Sequence, residues 1–365
     1  MIPFQKNINF NNSKVRNAII FLVLILMSYG CKFINKPSNR GVKTSNQDTG
    51  YMWKYQAKQA IYSSILLKGD FLYFGTRKTL CALRTRNGNI EWELKASGEI
   101  YDIILFNDSI LCFKAEDSSV YGVNLLRHNF LWHFKTSKYI TTPLAIFKDK
   151  LYFISLDKNI YCVNPLTGNE IKIYQMDSYS GNSAMILSKG ISFSDDFGNF
   201  YTFDESNNIK EKFRIDMKDF TSFITNISDT LYSVDRKRNL QAWDMLIWKK
   251  LWSIPNLDSV SELPIVYDGK GYLASSKHYI AAFDTKSGQI LWKTDCSCVD
   301  PHNILIENNR LFFSSKDRFY SIHTNGTDQK LEFTANALIL PYPCVSNKTL
   351  YFATDDSCLY AVKYK

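Results

Sequence analysis

Few residues in this chain of 365 could do chemistry, and their spacing limits what that chemistry would be. Cys296 and Cys298 stand one residue apart, as in a redox pair or half of a metal site, but no second pair at ligand spacing accompanies them. Asp117, Asp157, Asp196, Asp317 and Asp356 recur at equivalent places, so they could ring one opening and attract a cation. The alternative is that each bonds the backbone of its own tight turn, with Lys158, Lys277 and Arg318 neutralising the ring. The histidines, His128, His133, His278, His302 and His323, show no ligand spacing. No phosphate loop, calcium loop or nucleophile motif is present either. No catalytic, cofactor-binding or metal residue is therefore assigned, and a non-enzymatic protein without cofactor is expected.

The elements that carry these residues repeat. The motif Leu80-Cys81-Ala82-Leu83 returns at Val120, Ile160, Phe200, Leu240, Ile280, Phe319 and Leu359, in steps of 40, 40, 40, 40, 40, 39 and 40. A period of this length marks a solenoid, a propeller or an array. Each unit opens with a short aromatic and aliphatic run, such as Phe71–Phe74, Lys150–Ile154 and Leu350–Ala353, which suits a strand at this length. Apolar spacing of three and four over a dozen residues, as helical repeats require, is missing.

Two further columns run in phase. Trp92, Trp132, Trp252 and Trp292 differ by multiples of 40, and a phased Trp reads as a docking residue between units because it buries a large area and carries a donor. Gly88, Gly168 and Gly288 mark the turn before it, where a positive φ is tolerated. Within the eightfold motif, positions 82, 122, 162, 202, 242, 282, 321 and 361 hold small residues or Thr, and alternation puts them on one face, where a tight approach of sheets is expected.

Ala282-Phe283-Asp284-Thr285-Lys286-Ser287-Gly288-Gln289-Ile290-Leu291-Trp292 resembles the repeat of the pyrroloquinoline quinone (PQQ)-like propeller family. The resemblance covers 51–365 and implies an all-β fold: one eight-bladed propeller of four-stranded antiparallel blades. A tryptophan-aspartate propeller is a poorer match, its dipeptide occurring once, at Trp243-Asp244. Lys172, Lys212 and Glu332 stand where Trp belongs, so weaker docking is expected there. The last unit lacks its outer strand, and Trp53, 39 residues before Trp92, belongs to the segment that supplies it. The N-terminal strand is thus expected to close the ring.

Ahead of the ring, Lys6, Lys14 and Arg16 precede the apolar run 18–27 and Gly30-Cys31. That order is the order of a secretory signal. Cys31 resembles the lipidated cysteine of bacterial lipoproteins, with Ser28 a departure from the usual branched residue; a simple cleaved signal or an uncleaved anchor is the alternative. The expected division is a signal peptide over 1–30, a flexible tether over 31–50 and the propeller over 51–365. The formal charge of +9 is dispersed, with no basic block beside stacked aromatics, so nucleic acid is not an expected partner.

A lipid-anchored ring of this kind resembles the BamB-type lipoproteins of outer-membrane β-barrel assembly. The resemblance implies a monomeric scaffold, held to the membrane through Cys31, facing the periplasm from the outer membrane and binding an envelope protein whose identity the sequence does not name. The alternative is a ligand-binding propeller or a PQQ-dependent quinoprotein dehydrogenase; those enzymes often carry two adjacent cysteines over the cofactor, and none occur here. The links at 254–261 and 294–303 are read as the longest, and as the first places to seek a contact surface.

Overall fold

A computed structural model of the chain describes residues 50–364, except 215–223, 236, 256, 258–259, 261–263 and 297. The signal and tether segments, with Cys31, lie outside the described residues apart from Gly50. Among the described residues no helix is long and apolar enough to cross a membrane.

The strands form eight antiparallel sheets of four, the blades of a β-propeller. Blade one is Leu66–Lys68, Phe71–Gly75, Thr79–Arg84 and Ile90–Lys95; blade two is Ile100–Asn107, Ile110–Ala115, Ser119–Asn124 and Asn129–Lys135. Blade three is Ala145–Phe147, Lys150–Ile154, Asn159–Val163 and Glu170–Gln175; blade four is Met185–Leu187, Gly190–Ser194, Asn199–Phe203 and Ile209–Arg214. Blade five is Ile224–Ile227, Thr230–Val234, Leu240–Asp244 and Lys249–Ile254; blade six is Ile265–Tyr267, Lys270–Ser275, Tyr279–Asp284 and Ile290–Asp295. Blade seven is His302–Glu307, Arg310–Ser315, Arg318–His323 and Lys330–Thr334.

Blade eight takes Cys344–Ser346, Thr349–Ala353 and Cys358–Lys363 from the end of the chain and Trp53–Gln56 from its start. Trp53 pairs with Ala361 and Gln56 with Cys358, so the N-terminal strand closes the ring. This pairing covers the edge of the third strand, which would otherwise stand open.

Burial explains the sequence pattern. The middle strands are packed on both faces, so Ile110–Ala115 and Asn199–Phe203 are buried throughout and are mostly apolar or aromatic, interrupted by Lys114, Asn199 and Thr202. The outer strands have one wet face, and Ile90–Lys95 alternates accordingly. Tight hairpins join first to second strands: Lys148 and Asp149 both take positive φ, 46° and 59°, as a two-residue turn matched to strand twist requires.

The Trp and small-residue columns meet each other directly. Ala82 is the cross-strand partner of Trp92, Gly122 of Trp132, Ala242 of Trp252, Ala282 of Trp292 and Ala361 of Trp53. The small residue is therefore the bed of an indole within its own blade, and it also meets the next blade: Ala82 packs with Leu111 and Phe113, Ala282 with Leu311 and Phe313, and Ala361 with Leu72 and Phe74. A methyl on Gly122 would stand 2.2 Å from the Trp132 ring.

The other side of each indole receives the next blade. Trp53 Nε1 donates to Thr85 O at 2.7 Å, Trp132 to Pro165 O at 3.0 Å, Trp252 to Thr285 O at 2.9 Å and Trp292 to Thr324 O at 3.0 Å. In each case a turn glycine with positive φ lies flat on the ring: Gly88 on Trp53, Gly168 on Trp132, Gly288 on Trp252 and Gly326 on Trp292. Only a residue without Cβ fits that approach, and the left-handed φ favours the same residue. Trp92 differs, because His128 occupies the turn and stacks on the indole at 5.2 Å.

Where Trp is replaced, polar groups take its place. Asn207 is buried between blades three and four; it accepts from Tyr152 Oη and Tyr174 Oη, takes Lys172 Nζ on its carbonyl at 3.2 Å, and donates to Cys162 Sγ at 3.4 Å. Lys212 pairs with Asp177 at 2.7 Å and lies over Tyr201, while Glu332 accepts from Ser321 Oγ at 2.5 Å.

Candidate interaction surface

In a four-stranded meander, the second-to-third turns and the blade-to-blade connections emerge at one end of the strands, and the other turns emerge at the opposite end. The recurring aspartates belong to the first of these faces. Their carboxylates are already engaged: Asp117 accepts Ser119 N–H at 3.1 Å and Tyr121 Oη at 2.5 Å; Asp157 accepts Asn159 N–H, Tyr161 Oη and Ser137 Oγ. Burial opposes ionisation of Asp157, but those hydrogen bonds outweigh it and hold its pKa below the ordinary value. In blade four the turn carboxylate is Asp195 rather than Asp196: it accepts Phe197 N–H, Asn199 N–H, Asn199 Nδ2 and Tyr201 Oη. Asp235 repeats the arrangement in blade five. Asp356 accepts Thr354 Oγ1, and Asp317 lies 4.0 Å from Arg318.

No group of three or more His, Cys, Asp and Glu among the described residues is placed to hold a metal ion. Cys296 and Cys298 are buried free thiols between blades six and seven.

The blade-to-blade connections on this face are stitched down. Ile61, Ile140, Val260 and Ile339 form isolated bridges to Thr76, Ser155, Ser275 and Thr354. Ser63 Oγ accepts Gly75 N–H at 2.6 Å, and Thr142 Oγ1 accepts Ile154 N–H at 3.0 Å. Beneath the connection into blade three lie a half-buried carboxylate and a buried lysine: Asp102 Oδ2 accepts Leu144 N–H at 2.6 Å and Lys114 Nζ donates to Thr142 O at 2.8 Å. Burial raises the Asp102 pKa against the opposing pull of Leu144 N–H and Lys114, and burial lowers that of Lys114 against the charge of Asp102.

What these stiff connections present is aromatic. Tyr62, Tyr101 and Tyr139 form an arc over blades one to three, with ring centroids 6.3 and 6.2 Å apart. Tyr62 is 43% exposed and Tyr139 36%, although neighbouring bridge residues are buried. Tyr101 Oη donates to Glu99 at 2.8 Å, and Arg77 pairs with the other Glu99 oxygen at 3.0 Å. Burial, then the charges of Glu116 and Glu99, push the Tyr139 hydroxyl up to about 12. Tyr179 continues the series on the next connection, with Lys158 Nζ 5.1 Å from its ring. A concentration of half-exposed tyrosines on rigid loops is the composition of a contact surface, since Tyr offers large area at low entropic cost.

The two links singled out from sequence stand differently. Connection 296–301 is short, because strand His302–Glu307 begins inside the 294–303 range. The links 57–65, 136–144, 176–184 and 335–343 are all longer. In 254–261, Ile254 and Leu257 are buried, and four positions lie outside the described residues. The tyrosine arc escaped the sequence reading although its signal was present: Tyr62, Tyr101, Tyr139 and Tyr179 follow one another by 39, 38 and 40 residues.

A family model described as outer membrane protein assembly factor BamB matches residues 39–193 and 220–304. The chain belongs to the BamB family. Among solved structures, BamB from Moraxella catarrhalis is similar at 13% identity and a TM-score of 0.69, over 86% of this chain and 99% of that one. The computationally designed Ika8 protein matches at 12% identity and 0.69, over 85% and 98%. Sqt1 of Saccharomyces cerevisiae matches at 8% and 0.68, over 87% and 100%. At such identities the likeness is one of fold. No curated protein matches the chain in sequence.

Proposed function

We propose that this BamB-family chain is a non-enzymatic, monomeric scaffold of the bacterial envelope that serves outer-membrane protein assembly by holding another protein on its connection face. The observation that carries the reading is the tyrosine arc on stitched connections: a rigid, half-exposed aromatic surface on a ring whose most regular residues are consumed by blade docking. Residues 1–30 act as a lipoprotein signal and Cys31 is the lipidated residue. The tether then keeps the ring beside the outer membrane on its periplasmic side. The carboxylates Glu99 and Glu116 beside the arc favour a partner segment that offers basic and aliphatic side chains.

Capture of the tagged chain from crosslinked membranes, read by mass spectrometry, tests this. A β-barrel assembly protein is expected with the unaltered chain, and Tyr62→Ser with Tyr139→Ser should reduce its recovery about tenfold or more, the scale of losing one aromatic anchor. Equal recovery with the double variant rejects the surface. Recovery of no assembly protein rejects the function.

A further inference from the structure

The connection from blade six to blade seven brings two thiols together. Cys296 and Cys298 are 7% and 6% exposed, within an apolar cluster formed by Tyr272, Ala282, Leu311 and Phe313 among others. Both thiols pack into this one cluster, and Cys296 Sγ donates to the Cys298 carbonyl oxygen at 3.8 Å. The other free cysteines, Cys81, Cys112, Cys162, Cys344 and Cys358, lie on strands of blades one, two, three and eight. The connection is fixed at both ends. Cys296 N–H donates to His278 O at 2.7 Å, Asp300 N–H reaches His278 Nδ1 at 3.4 Å, and Ser315 Oγ donates to Val299 O. Val299, next in the chain, is 52% exposed, so the pair sits directly under solvent.

We propose that Cys296 and Cys298 are a redox modification site, closing a reversible intramolecular disulfide when they meet an external disulfide such as oxidised glutathione. The Cys296 thiolate attacks one sulfur of the external disulfide and expels its partner as a thiolate, which leaves a mixed disulfide on Cys296. Cys298 then gives up its proton and attacks the Cys296 sulfur, expelling the second external thiolate. Two thiols and one disulfide become one disulfide and two thiols, with two electrons and two protons transferred.

The surroundings divide the two roles. Cys296 is held below the ordinary thiol range chiefly by the hydrogen bond from the Cys298 thiol, with the Cys298 N–H adding to it against burial. Cys298 is pushed up by the same hydrogen bond, then by burial and by the Cys296 charge. Once Cys296 is in a mixed disulfide that charge is gone, which removes one of the causes that hold the Cys298 proton and leaves burial. Closure would fix the connection beside Val299 on the same face as the tyrosine arc, and it does not depend on what that arc binds.

The test equilibrates the full chain in glutathione buffers of graded potential, traps thiols by acid and alkylation, and follows the tryptic peptide Thr294–Arg310, which holds both cysteines. The expected result is loss of both alkylation sites in step, a peptide two hydrogens lighter, and full reversal by reduced glutathione. Cys298→Ser should instead carry glutathione on Cys296. A wild-type peptide that stays fully alkylated across the range overturns the proposal, as does one carrying separate glutathione adducts or joined to another cysteine.

Discussion

Gly168→Ala adds one methyl where two costs coincide. Gly168 has φ +71°, and a methyl there would stand 2.6 Å from the Trp132 ring. The left-handed conformation alone costs a residue with Cβ about 1 kcal/mol. Displacing the indole adds about 1–3 kcal/mol, because Trp132 already lies against Gly122 behind it and donates to Pro165 O at 3.0 Å. The expected loss is about 2–4 kcal/mol. Gly69→Ala is the control: its φ is +56° but nothing lies within 4 Å of the added methyl, so only the conformational part, about 1 kcal/mol, should appear. Guanidinium midpoints with unchanged slope measure both. In a Trp132→Ala background the cost of Gly168→Ala should fall to that of Gly69→Ala, which makes the coupling a direct reading of the docking contact. Equal costs for the two glycine variants in the unaltered chain would refute the account of blade docking.

Other expectations follow from the same geometry. Deleting 51–57 exposes the edge Cys358–Lys363 and should lower both the thermal midpoint and the protease resistance of the whole ring; unchanged values would remove the closing role of Trp53–Gln56. Asn207→Ala keeps the backbone carbonyl that Tyr174 uses but leaves the buried Tyr152 hydroxyl without its Oδ1 partner and removes the amide donor to Cys162 Sγ, and should cost about 1–3 kcal/mol by denaturant titration. Asp157 and Asp235 have folded pKa values depressed below 3.8, since hydrogen bonds to the carboxylates outweigh burial. Their stabilisation is therefore full above that unfolded value and lost as pH falls through the folded one. Asp157→Asn with Asp235→Asn should flatten the acid limb of a melting curve series relative to the unaltered chain, and a parallel limb would show that these turns do not contribute.

The ring was legible because its columns recur. Trp at multiples of 40, small residues in the eightfold motif and the Trp53 segment carried blade number and closure, as local alternation and period are properties of the sequence itself. What faces a column was not legible. Gly168 read as a turn residue, and its place on the Trp132 indole depends on the neighbouring blade. Asn207 contacts Tyr152 across 55 residues, so nothing local announces that a polar clamp replaces the Trp missing at Lys172. Asp195 and Asp196 are adjacent, and only the hydrogen bonds of the folded turn choose between them. The tyrosine arc was recoverable from its spacing but hidden by a β propensity that makes tyrosines ordinary strand residues.

The central claim, that the connection face holds a protein of outer-membrane assembly, is tested most directly by photo-crosslinking in living cells. A photoreactive residue at Tyr62 or Tyr139 should yield a covalent adduct with a β-barrel assembly protein, and one at exposed Lys286, in a turn on the opposite face, should not. Equal adducts from both faces, or adducts lacking any assembly protein, would contradict it.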